Sequence, residues 1–89
     1  MDAALVRIML AAIAENNPSQ IEPGEADEAI DWIKQRIWMT PGDKGAHAQH
    51  NPGMEAAARA AERAVAFFEN GDVDAAKPLA LEALKLLGG

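Results

Sequence analysis

The sequence has no cysteine and no tyrosine, and it carries 8 basic residues against 14 acids. Its aromatic side chains are Trp32, Trp38, Phe67 and Phe68. Each shortage excludes something. Without thiols there is no disulfide to staple a small fold, no thiolate nucleophile and none of the soft ligands that structural zinc sites use. With few aromatics and abundant alanine, the core must come from Leu, Ile, Met and close helix contacts, which favours helices over sheet. A net charge of −6 lacks the basic face that tracks a phosphate backbone, so no direct nucleic-acid binding is expected. Such acidity keeps a small protein soluble, and it also suits a surface that competes with nucleic acid for a basic partner. The apolar stretch 3–14 is too short to span a bilayer, and Asp2 and Arg7 spoil it as a secretory leader. It reads as a mature helix of a cytoplasmic protein that makes no use of a membrane.

What remains is helix. At 89 residues the chain forms one domain and buries only about 60 to 65% of its unfolded surface, so good packing or oligomerisation must hold it. Punctuation and periodicity predict an all-α, four-helix domain over residues 1–89, with helices at 2–15, 23–38, 52–70 and 73–87. The chain then makes two helical hairpins joined by a Gly/Pro/His-rich connector, residues 40–51. Asp2, Asn51 and Asp72 are the N-caps, Pro52 takes the first helical position, and Gly71 ends the third helix. Pro78 sits in the second turn of the fourth helix, where a local bend or a loosened first turn is expected. The first helix is apolar nearly all round, as expected of a helix that is central or shared with a second chain. In the second, Ala26, Ile30, Ile33 and Ile37 define the buried stripe. Trp32 falls about 130° from its middle, among Glu28, Asp31, Gln35 and Arg36, while Trp38 lies on the flank and can still pack inside. Alanines at 57, 61 and 64 predict a close neighbour for the third helix. Leu81 falls on the outer side of the fourth.

Residues 54–87 carry Ala64 and Phe67 in one helix, the turn Gly71-Asp72, and Ala76 and Ala83 in the next. In these positions the segment resembles a single tetratricopeptide-type helical hairpin. It departs from that pattern at Ala60, Arg63 and Gly88. The resemblance implies two closely nested helices; one hairpin is fewer than the three or so repeats an array needs, so no peptide-groove residues are implied.

Chemistry is sparse. His47 and His50 are the metal candidates, with Asp43 or Glu55 as possible oxygen donors, but the spacing is not HEXXH and a full ligand set is missing. Gly42, Lys44 and Gly45 do not make a phosphate loop, for want of the GxxxxGK[ST] order and a preceding strand. The carboxylates converge on no nucleophile or base, so no catalytic residues, no cofactor and no enzyme activity are expected. Trp32, Arg36, Glu28, Asp31 and Leu81 are the partner-binding candidates, because tryptophan and arginine concentrate at hot spots. The expected function is a non-enzymatic protein-protein interaction module that acts through helix faces as a homodimer sharing the first helix. Two alternatives stand beside it. One is a small acidic inhibitor, of phage anti-defence type, of a nucleic-acid-handling enzyme; the other is a ligand- or metal-binding protein using the histidine loop.

Overall fold

The computed structural model describes residues 2–39 and 49–88. It is an all-α domain of four helices, α1 (Ala3–Ala14), α2 (Glu25–Gln35), α3 (Pro52–Glu69) and α4 (Val73–Leu86). A single turn of 3₁₀ helix at Pro18–Gln20 interrupts the first connector. Two residues, Trp38–Met39 (β1), pair antiparallel with Gln49–His50 (β2), and Trp38 lies opposite His50. Most of the expected Gly/Pro/His-rich connector, Thr40 to Ala48, lies outside the described residues.

The helix ends follow from local chemistry. Asp2 Oδ1 accepts from the Leu5 amide at 2.9 Å, Asn51 Oδ1 from Met54 at 3.2 Å and Asp72 Oδ1 from Ala75 at 3.2 Å. Each satisfies one of the first-turn N–H groups that a helix cannot pair internally. Gly71 closes α3 at φ 84, with Asp72 N–H on the Phe67 carbonyl at 2.8 Å and Gly71 N–H on Phe68 at 3.1 Å. That pair of bonds needs a left-handed residue, which glycine adopts without strain. At the end of α1 the same two bonds form around Asn16, at φ 54, asparagine being among the few other residues that tolerate that region. The fourth helix runs through Pro78 without a break.

The second helix departs from its expected span of 23–38. Gly24 sits at φ 82 ahead of Glu25, so Pro23 belongs to the turn; Glu25 then reaches back to accept from the Glu22 amide at 3.0 Å. The far end stops at Gln35, where Arg36 and Ile37 donate to Ile33 and Lys34, three residues back. Trp38 is therefore off the helix, and no wheel projection locates it.

Large and small side chains are divided between the helices. The largest fully buried side chains are Met9, Leu10, Ile13 and Val6 from α1 and Ile33 from α2. The inward positions of the other two helices are nearly all alanine: Ala57, Ala58, Ala60, Ala61 and Ala64 on α3, and Ala76, Ala80 and Ala83 on α4. Alanine lets α3 and α4 approach closely as an antiparallel hairpin, and α1 lays its long aliphatic chains on the resulting shallow surface. α1 runs antiparallel to α4, because Arg7 Nη2 near its start donates to the Leu87 carbonyl at the far end of α4, at 3.3 Å. α2 packs on α3, with Lys34 Nζ 2.6 Å from Glu62 Oε1 at the surface. Hydrogen bonding to Glu62, then its charge, raises the Lys34 pKa above the usual lysine value. α1 packs chiefly on α4 and α2 on α3, and α1 and α2 touch each other more lightly.

Close α3–α4 packing predicts a sharp size limit. Ala61→Leu should cost about 1–3 kcal/mol in urea unfolding, the usual penalty for overpacking. The same change at exposed Ala56 should stay within about 0.5 kcal/mol; equal effects at both positions would show that the buried face of α3 is not closely packed.

Candidate interaction surface

The partner candidates separate into two places. Glu28, Asp31 and Trp32 come together with Gln35 on the outer side of α2, around an open hollow of about 400 Å³. Leu81 is not among them; it lies on α4 beside the C-terminal turn of α1.

Trp32 is half-buried and packs against the core. The Arg36 guanidinium carbon stands 3.5 Å from the Trp32 ring centroid, and Arg36 Nη1 donates to the Trp32 carbonyl at 3.0 Å. A ring held this way by a cation one turn on gains about 0.5–1 kcal/mol at an exposed site. The buried face of α2 also differs from the expected stripe. Ala29 and Ile33 are its fully buried members, while Ala26, Ile30 and Ile37 flank it. That rotation, about 50° on a helical wheel, brings Trp32 to the edge of the core. A small residue, Ala29, sits at the centre of the buried side, where it takes little room between α2 and the core. The isolated surface tryptophan expected at 32 is thus a partly sheltered one, and Trp38 at 62% exposure is the more open of the two.

Two other grooves are lined by large apolar side chains. Leu5 and Ile8, one turn apart on α1, are 43% and 49% exposed. They form one wall of a groove of about 350 Å³, and residues from Gln20 to Glu28 form the other. The connector 15–24 runs back along α1, so α2 opens beside the N-terminal half of α1 and leaves this cleft uncovered. The acids here are Glu22, Glu25 and Glu28, and among the described residues no basic side chain lines the groove. The second groove, about 510 Å³, lies between the C-terminal turn of α1 and the first half of α4. Ile13, Ala14, Val73 and Leu81 supply its apolar part, and Glu15, Asp74 and Lys77 its charges. Leu81 is 49% exposed there.

Of the metal candidates, His47 lies outside the described residues, as does the side chain of His50; only the backbone of His50 is placed, in β2. Among the described residues no group of three or more His, Asp or Glu side chains is arranged to hold a metal ion. No described helix is long and apolar enough to cross a membrane. Neither the models of protein families, nor the curated proteins, nor the solved structures contain a match to this chain.

Sequence reasoning missed Leu5 and Ile8 as site residues. A helix apolar all round gives no sign of which side its neighbours leave open. The available signal was the length of the connector before α2, which is too long for a tight hairpin.

The stacked geometry predicts that Trp32→Ala costs about 1–3 kcal/mol, part of the loss for a fully buried tryptophan. Arg36→Ala should cost about 0.5–1 kcal/mol through the lost stack. Circular dichroism in urea reads both. A Trp32→Ala protein as stable as wild type would mean that the ring contributes nothing to the fold.

Proposed function

We propose that the protein is a non-enzymatic protein-protein interaction module that acts through its helix faces. The observation that carries this reading is the exposure of Leu5, Ile8 and Leu81 on α1 and α4, between 43% and 49%, in open grooves rather than an enclosed pocket. Such side chains gain about 25 cal/mol for each Å² taken out of water, and the domain's own helices leave that gain unused.

Self-association fits the groove around Leu81. Its charges are mixed, Glu15 and Asp74 with Lys77, and a two-fold contact places the same patch on both copies. Lys77 of one copy can then face Glu15 or Asp74 of the other, around an apolar centre that includes the end of α1. A second reading, the acidic inhibitor of a nucleic-acid-handling enzyme, draws support from Glu22, Glu25 and Glu28 in the groove on the other side of α1. The two readings use different surfaces, so one protein can serve both.

Sedimentation equilibrium up to high micromolar protein tests the homodimer. A dimer is expected for the wild type, and Leu81→Glu, at a position 49% exposed and outside the buried core, should shift it to monomer. A wild-type protein that stays monomeric throughout would remove the homodimer.

A further inference from the structure

We infer that the groove of Leu5 and Ile8 receives a basic amphipathic helix of another protein, with apolar residues at i and i+3 or i+4 and lysine or arginine at the margins. This rests on the interaction-module reading and names its partner by chemistry.

The apolar wall calls for an apolar stripe. Leu5 and Ile8 are spaced as one turn of helix and stand between 43% and 49% exposed. A groove of about 350 Å³, open along its length and walled by a helix on one side and the 3₁₀ turn and α2 on the other, matches the helix-in-groove mode of recognition. At that volume it is near the lower limit for a small-molecule site.

The rim calls for positive charge. Glu22, Glu25 and Glu28 line the groove, and Asp27 adds a further acid to the first turn of α2. The positive end of the α2 dipole offsets only about half a charge of this. Among the described bases, Arg7 donates to the Leu87 carbonyl on the α4 side, Lys34 pairs with Glu62 and Arg36 stacks on Trp32. A second copy of this chain is therefore a poor occupant, since it would set one acidic rim against another.

The surface also has a continuation. Glu28 lines both this groove and the hollow of Asp31 and Trp32. A helix that seats two apolar residues on Leu5 and Ile8 can place a cation by Glu28 and lean its next turn against the edge of Trp32. Arg36 holds that ring in one orientation, which lowers the entropy cost of docking against it.

Three synthetic helical peptides test the inference. They share one leucine stripe and carry lysine, glutamine or glutamate at the flanking positions. Each is titrated into ¹⁵N-labelled full-length protein at 50 and 300 mM salt, with amide shifts as the readout. The lysine peptide should bind at least about tenfold more tightly than the glutamate peptide at low salt, and that preference should shrink severalfold at high salt. Shifts should centre on Leu5, Ile8 and residues 20–32. Glu22→Lys with Glu28→Lys should reverse the order of the peptides, while Glu25 is left alone because it caps Glu22. A circular dichroism melt of the double variant confirms that it folds. Equal binding of all three peptides at this groove overturns the basic partner and leaves the interaction module standing. Binding centred elsewhere, or by none of them, overturns the groove as a helix site, and in the second case counts against the module itself. Concentration-dependent shifts at Leu5 and Ile8 without peptide would hand this face to a second copy instead.

Discussion

The close approach of α3 to α4 is the constraint on which the rest of this structure depends. It goes with alanine at most of the buried positions of both helices, Ala57, Ala61 and Ala64 on one and Ala76, Ala80 and Ala83 on the other, each fully buried. Alanine loses no side-chain entropy on folding and has high helix propensity, so a hairpin built this way forms at low conformational cost. It also offers little apolar area. The domain recovers that area from α1, whose Val6, Met9, Leu10 and Ile13 bring the large side chains. Neither part is sufficient alone, and a chain of this size has little stability to spare.

That division of labour also explains where the surface stays apolar. A helix that must fill the core with long side chains ends up with apolar residues around most of its circumference, and α4 and the edge of α2 cover only part of it. The connector 15–24 decides the rest. Because it returns along α1 through the 3₁₀ turn at Pro18–Gln20, the acids at 22, 25 and 28 arrive beside Leu5 and Ile8. A groove with an apolar wall and an acidic rim results from the chain path. The mixed-charge groove at the other end of α1 arises from the same helix where it meets the start of α4.

Trp32 and Trp38 exchange the roles that periodicity assigns them. On a wheel, Trp32 faces away from the stripe and Trp38 flanks it. In the fold, α2 buries Ala29 and Ile33, which brings Trp32 to the edge of the core, and the helix ends before Trp38 is reached. Arg36 then closes over Trp32 from one turn away, an i,i+4 relation that is plain in the sequence once the ring is known to be at the edge of the core.

Local chemistry was legible in the sequence alone. Four helices, the caps at Asp2, Asn51 and Asp72, the left-handed Gly71 and the inward alanines all depend on interactions within a few residues, which propensity and spacing encode directly. Which side of α1 stays open, how far α2 turns about its axis and which acids share a groove with Leu5 and Ile8 were decided by tertiary structure. Those outcomes depend on how closely two helices approach and on the path of a connector, and such distances are set by the packing of side chains far apart in the chain.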